Sequence, residues 1–146
     1  ALVWARIRRI PKSGVCLVGK SHPFHVETAL GISLAENTQN LRASFQHIVA
    51  SGREALFDAE HFFDGYKSNP TYALEAVHAA YDAGCRWIVL CDTNGGALPH
   101  EVSTIVKAVI DSGIPGSHVA ICGKRTQSGA PSRRNRRALP PVLRST

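Results

Sequence analysis

The chain lacks the patterns of a zinc protein, a disulfide-rich protein and a membrane protein. Its four cysteines contain no C-x-x-C pair, which favours buried free thiols in a reducing compartment over a metal or disulfide framework. No apolar run approaches the roughly 20 residues of a membrane-spanning helix. The short apolar stretch at the start precedes its arginines, the reverse of a secretory signal. We therefore expect a cytoplasmic protein with no membrane partner.

Acidic residues are missing from both ends of the chain. Four of the 17 basic residues lie in residues 1–13 and seven in 124–146, whereas all 11 acidic residues lie in 14–123. The middle segment thus holds six basic residues against 11 acidic ones, a net charge of −5, although the whole chain carries +6. The basic character therefore belongs to the two ends rather than to a folded nucleic-acid-binding surface.

Short apolar runs alternate with longer helical periods between residues 14 and 123. The near-continuous apolar character of the short runs predicts strands covered on both faces. Strands are predicted at 15–18, 55–58, 87–91 and 119–121. Helices are predicted to begin at an S-x-x-E capping box (Ser33 to Glu36), at Asn69-Pro70 and at Pro99, and to end at Gly52, Gly84 and Gly113.

An unbroken strand–helix alternation predicts a parallel sheet with right-handed crossovers. An open doubly wound sheet and a segment of a (β/α)8 barrel both satisfy this pattern. At least three consecutive strands end in polar clusters, which favours the barrel because a barrel gathers every carboxyl end into one mouth. The predicted fold class is α/β: a partial (β/α)8 TIM barrel of about four strands.

The polar clusters contain the candidate site residues. His25 belongs to a group of imidazole, hydroxyl, ammonium and carboxylate side chains at 19–27, after the first strand. Glu60 lies after the second strand in a predicted loop with three aromatic rings, whose apolar surroundings would raise the pKa of a carboxyl. After the third strand, Thr93 and Asn94 precede two glycines that let the backbone approach a ligand.

Three stretches together resemble one enzyme family. They are Gly19-Lys20-Ser21 with His25, then FDAEHFFDGYKSNPTYALEAV at 57–77, and then WIVLCDTNGGALPHEV at 87–102. They are similar to the citramalate synthase branch of the 2-isopropylmalate and homocitrate synthase family. The resemblance covers residues 14–121, and the last two motifs are long enough to be specific.

The resemblance implies a metal-dependent barrel enzyme that condenses acetyl-CoA with a 2-oxoacid such as pyruvate. In that chemistry a divalent cation (Mg, Mn or Zn) polarises the ketone and a base removes a proton from the acetyl methyl group. By resemblance, His25 and Glu60 are catalytic, Thr93 binds the oxoacid carboxylate, and Ser21 and Asn94 are further substrate-binding candidates. A homo-oligomer is also implied, and a carbon–carbon lyase of the same superfamily is the alternative enzyme.

Two family motifs that bind the metal are absent from this sequence. No D-x-T-L-R-D-G turn occurs on the first strand, and the H-x-H-N-D motif expected after residue 121 is replaced by Cys122-Gly123-Lys124-Arg125-Thr126. Lys124 cannot replace a neutral histidine because it brings its own positive charge. We therefore expect this chain to bind no metal and to be inactive alone.

The residues fall into three predicted segments: a basic stretch at 1–13, the partial barrel at 14–121, and an Arg/Pro-rich tail at 122–146. The tail can be interpreted as a nucleic-acid- or partner-binding extension, or as the product of a slipped reading frame. No aromatic residue interleaves its basic run to stack on bases. We favour a slipped frame or a truncation and do not expect nucleic acid as a partner.

Overall fold

A computed structural model describes residues 14–123 of the chain. It contains one sheet of four parallel strands, β1 (Val15–Lys20), β2 (Ala55–Glu60), β3 (Trp87–Asp92) and β4 (Val119–Gly123). All four predicted strands are confirmed, and each runs one or two residues further at its carboxyl end than the sequence indicated. The basic segments at 1–13 and 124–146, including Lys124, lie outside the described residues.

The strands are arranged in the order β1-β2-β3-β4, without a reversal. A doubly wound sheet reverses its strand order at a switch point, whereas a barrel adds each new strand on the same side of the previous one. The strand order therefore selects the barrel segment from the two architectures that the sequence pattern left open.

Three helices connect the strands at the predicted positions. Helix α1 covers Leu34–Ala50, helix α3 covers Pro70–Asp82 and helix α4 covers Pro99–Asp111. The Ser33 hydroxyl accepts from the Glu36 N–H, and the Asn69 side chain accepts from the Tyr72 N–H, as the capping signals predict. Among residues 14–123, no helix is both long and apolar enough to cross a membrane.

Three further helical elements were not predicted, one of them a short 3-10 turn at Gly116–His118 before β4. A π-helical turn covers His25–Leu30, and helix α2 covers Phe62–Ser68, in the segment that the sequence indicated as a polar loop. His61 has a left-handed backbone conformation, with φ of 57°, and it turns the chain so that Phe62 and Phe63 become fully buried. The loop prediction was therefore wrong, because these rings belong to the core.

The helices cover only one face of the sheet within the described residues. Phe57, Ile88 and Leu90 are fully buried on that face, in a core shared with Phe45 of α1 and Val77 of α3. The predicted coverage of both faces is not observed there. We call the other side the open face; its strand positions include Cys16, Val18, Lys20, Leu56, Asp58, Glu60, Trp87, Val89, Cys91, Ala120 and Cys122.

The open face corrects the expectation that the cysteines are buried. Cys85 and Cys91 are buried free thiols, but Cys16 and Cys122 are exposed. The apolar runs that suggested burial are real strands. Side chains alternate between the two faces of a strand, and Cys16, Cys91 and Cys122 all face away from the helices. Of these three only Cys91 is buried.

Helix α2 packs directly against the turn that follows β1. A Cβ atom placed on Gly65 of α2 would lie 2.5 Å from the carbonyl oxygen of Ser21 and 2.9 Å from the Cα of His22. Both neighbours are backbone atoms and cannot move away by changing a rotamer. The absence of a side chain at Gly65 therefore allows the first two polar clusters to approach each other.

We expect Gly65→Ala to lower the free energy of unfolding by about 3 kcal/mol, the upper end of the overpacking range, because the clash is with backbone. Urea denaturation of the purified chain measures the loss. Gly96→Ala is the matched control, since no heavy atom lies within 4 Å of its added Cβ. Equal stability of the two variants would contradict the close approach.

Candidate functional site at the carboxyl edge of the sheet

The carboxyl ends of β1 and β2 carry an ion pair. Lys20 and Glu60 are register partners on the two strands, and the Lys20 ammonium donates a hydrogen bond to the Glu60 carboxylate. About a quarter of each side chain remains exposed, so the pair is accessible from the open face. The strand register therefore places a fixed carboxylate at the mouth of the sheet.

The Lys20 hydrogen bond lowers the pKa of the Glu60 carboxyl below its usual value, and the nearby His61 and His25 add smaller effects in the same direction. Partial burial opposes this shift but is outweighed. The sequence-based expectation of a raised pKa beside aromatic rings was therefore wrong in direction. Glu60 is ionised at neutral pH and can accept a hydrogen bond or a proton.

Three imidazoles lie together beside this ion pair. The ring centroid of His25 is 4.3 Å from that of His61 and 5.0 Å from that of His22. Partial burial is the main cause of the lowered pKa of His25, and the neighbouring imidazoles and Lys20 lower it further. At neutral pH His25 therefore presents a neutral imidazole, which can either donate or accept a hydrogen bond.

The ends of β2 and β3 meet through Thr93. The backbone N–H of His61 donates to the Thr93 hydroxyl at 2.9 Å, so the residue after Glu60 directly contacts the third polar cluster. Asn94 donates to the Asp64 carboxylate of α2 at 2.7 Å. The structure thus brings Glu60, His25 and Thr93 to one edge, while the Asn94 side-chain N–H is directed to Asp64.

Ser21 is fully buried at the end of β1. Its hydroxyl donates to the backbone carbonyl of Glu60 at 2.8 Å, and its own N–H donates to the same oxygen at 3.3 Å. Its contacts therefore hold Glu60 in position. The substrate-binding role predicted for Ser21 stays a prediction.

The turn after β3 is shaped by Asp92. Its carboxylate accepts from the N–H groups of Gly96 and Ala97, both at 3.2 Å. Gly95 adopts a left-handed conformation with φ of 71°, which glycine reaches without a steric penalty. These constraints hold the short turn that carries Thr93.

The described residues do not fit a divalent metal. Within residues 14–123, no three His, Cys, Asp or Glu side chains are arranged to hold a metal ion. Cys122 is exposed at the end of β4, and Lys124, the second predicted replacement of a family imidazole, lies beyond the described residues. That the chain binds no metal remains a prediction.

Lys20 and His61 also take part in the candidate site, although neither was predicted as a site residue. Lys20 lies in the first polar cluster, but its pairing with Glu60 depends on a strand register that periodicity does not supply. One signal could have identified the pair. The end of one predicted strand carries a positive residue, and the end of the next carries a negative one. His61 lies next to Glu60 in the second motif, and its contribution comes from its backbone.

The architecture is that of a partial (β/α)8 barrel whose polar groups meet at the carboxyl edge. The solved HMG-CoA lyase from Brucella melitensis matches 86% of this chain with a TM-score of 0.66, and the match covers 44% of that protein. The sequence identity of 18% means that this likeness concerns the fold. The predicted fold class is therefore confirmed.

The relatives found by sequence are more similar to this chain than that solved structure is. The (R)-citramalate synthase of Aquifex aeolicus is 50% identical over 95 residues, which are 65% of this chain. The 2-isopropylmalate synthase of Lactococcus lactis is 30% identical over 90 residues, or 62% of this chain. The matches span 18% and 17% of these two relatives. No family model matches the chain. The resemblance to the citramalate and 2-isopropylmalate synthases is confirmed over part of their length.

We expect Lys20→Met to raise the pKa of Glu60, because the ion-pair hydrogen bond is lost. The depressed native pKa stabilises the fold above the pKa that Glu60 has in the unfolded chain, and this contribution is lost as the pH falls through the native value. For a partly exposed pair it is less than about 1 kcal/mol. Titration of the Glu60 carboxyl carbon by NMR measures the shift.

Lys107→Met is the control for this measurement, because Lys107 pairs with Asp111 on the surface of α4. It removes the same charge without touching Glu60. An unchanged Glu60 titration in Lys20→Met would contradict the role of Lys20.

Proposed function

We propose that this chain forms the oxoacid-facing part of an enzyme that condenses acetyl-CoA with a 2-oxoacid, of the citramalate synthase type, with pyruvate as the oxoacid. The observation that supports this most directly is the hydrogen bond between His61 and Thr93, which joins the Glu60 and Thr93 motifs at one edge. The reaction proposed for that edge is based on the 50% identity to (R)-citramalate synthase.

In this proposal Thr93 binds the oxoacid carboxylate. Its hydroxyl already accepts from the His61 N–H, so its own hydrogen is available to donate to a carboxylate oxygen. Glu60 is held ionised by Lys20, and His25 presents a neutral ring next to it. These two groups orient the reacting carbonyl and can accept a proton near it.

The metal chemistry is assigned to the intact family enzyme and not to this chain. A divalent cation would polarise the ketone of the oxoacid there, but the described residues offer no set of ligands for it. We therefore propose that the 146-residue chain alone does not release free CoA from acetyl-CoA and pyruvate.

A cytoplasmic location and self-association are also proposed. The exposed Val18 on the open face supports self-association.

The alternative enzyme is a carbon–carbon lyase of the same barrel superfamily. Its support is the HMG-CoA lyase fold, at 18% identity, which is weaker than the sequence relationship to the synthases. The alternative of a non-catalytic module with a basic tail depends on residues 124–146, outside the described structure. The acidic balance of residues 14–123 does not favour nucleic-acid binding by the folded part.

A chimera tests the proposed function without requiring activity from the chain alone. The segment of the Aquifex aeolicus (R)-citramalate synthase that aligns with this chain is replaced by the corresponding residues of this chain. We expect the chimera to release CoA from acetyl-CoA in the presence of pyruvate and Mg²⁺. Within it, Glu60→Gln should lower kcat by about a hundredfold, and Thr93→Val should raise KM for pyruvate by about tenfold.

Lys107→Met on the outer surface of α4 is the matched variant that should leave both constants unchanged. Circular dichroism and thermal unfolding establish that each chimera is folded. A folded chimera that cleaves a 3-hydroxyacyl-CoA and does not condense pyruvate would favour the lyase. Full activity of the Glu60→Gln and Thr93→Val chimeras would contradict the proposed site.

A further inference from the structure

Cys91 and Cys122 lie directly opposite each other on neighbouring strands. They are register partners in the parallel pair β3–β4, so both side chains project from the open face. Neighbouring strands are about 4.8 Å apart, which falls within the Cα separation of roughly 4.4–6.8 Å that a disulfide requires. Both cysteines are free thiols in the structure.

The two thiols differ in a way that suits a two-step exchange reaction. Cys122 is exposed and open to a reagent in solution. Cys91 is only 8% exposed, and its thiol donates to the Asp58 carboxylate at 3.3 Å. Burial, with the adjacent Asp58 and Cys122 adding to it, raises the pKa of Cys91. Cys91 is therefore the less reactive thiol of the two and suits the second step, the attack on a mixed disulfide held next to it.

We propose that Cys91 and Cys122 are a reversible redox pair that a low-molecular-weight disulfide oxidises to an intramolecular disulfide. The Cys122 thiolate attacks one sulfur of the reagent, forms a mixed disulfide and expels one thiolate. Cys91 then attacks the Cys122 sulfur and expels the second thiolate, which takes up the proton that Cys91 loses. Two protein thiols and one small disulfide become one protein disulfide and two small thiols.

The other two cysteines do not share this arrangement. Cys85 is buried, its thiol donates to the carbonyl oxygens of Ala55 and Trp87 at 3.2 Å and 3.3 Å, and burial raises its pKa to about 12. Cys16 is exposed but lies on β1, opposite Leu56, with no cysteine as its register partner. Cys16 thus serves as an internal control for simple exposure.

Oxidation of this pair would act next to the candidate site. Cys91 directly precedes Asp92, which holds the turn, and Thr93 follows. A disulfide would fasten β3 to β4 at the base of this turn. The inference does not depend on the proposed function, because it concerns only thiols that the fold brings together.

The test uses the full chain, diluted and incubated with oxidised glutathione. Free thiols are then blocked and the protein is digested with trypsin without reduction. Trypsin cleaves after Lys20, Lys67, Arg86 and Lys107, so the four cysteines fall in four different peptides. We expect mass spectrometry to find the Cys91 and Cys122 peptides linked, with the loss of two hydrogen atoms, and the link to disappear on reduction.

Variants distinguish a thiol that attacks the mixed disulfide from a thiol that is only exposed. In Cys91→Ser, glutathione should remain on Cys122, whereas Cys16→Ser should form the Cys91–Cys122 link as the original chain does. Asp58→Asn should shorten the lifetime of the mixed disulfide, because the carboxylate that holds the proton on Cys91 and raises its pKa is removed. Cys85 should stay reduced throughout.

Two results would overturn the proposal. One is a folded wild-type chain in which Cys122 and Cys16 both retain glutathione while Cys91 stays a free thiol. The other is a Cys91–Cys122 link that joins different molecules, which a mixture of isotopically labelled and unlabelled chain reveals by its mass. Peptide mapping of the unmodified sequence gives either answer even where a variant fails to fold.

Discussion

The backbone carbonyl of Glu60 accepts two hydrogen bonds from Ser21, one from the N–H and one from the hydroxyl. These contacts fasten the end of β1 to the end of β2 just where the two strands deliver Lys20 and Glu60. A serine buried this completely must have its hydroxyl satisfied, because an unpaired buried polar group costs roughly 1–3 kcal/mol. The arrangement of the candidate site thus begins with a backbone requirement rather than with the side chains that face it.

A second polar contact, made by a buried side chain of a helix, holds the end of β1. Asn37 of α1 donates to the carbonyl of Lys20 at 3.0 Å and to the Tyr72 hydroxyl of α3 at 2.7 Å. One amide therefore connects the first strand to both helices that pack beside it. Asn37 is itself buried, and so is its bond to Tyr72, which strengthens that bond and fixes the amide that holds the Lys20 carbonyl.

Much of this arrangement could be predicted from local patterns, and the rest depends on contacts that are distant in sequence. Capping residues such as Ser33 and Asn69 act within one turn of their own helix, so the sequence pattern shows them. The pKa of Glu60 depends instead on Lys20, 40 residues away, and only the strand register reveals that partner. Phe62 and Phe63 were placed in a loop because the left-handed turn at His61 leaves no periodic signal.

The open face explains why the chemistry of the chain concentrates on one surface. Side chains alternate along each strand, so a sheet covered by helices on one side must collect every second residue on the other. In the carboxyl half of that face the sequence places charged and thiol groups, including Lys20, Glu60 and Cys91, whereas Leu56 and Trp87 lie nearer the amino ends. Any surface that covered this face would remove water from the Lys20–Glu60 pair and strengthen its attraction as the local dielectric constant fell. It would also raise the cost of leaving either charge unpaired, so the pairing of Lys20 with Glu60 becomes more important as the site becomes more enclosed.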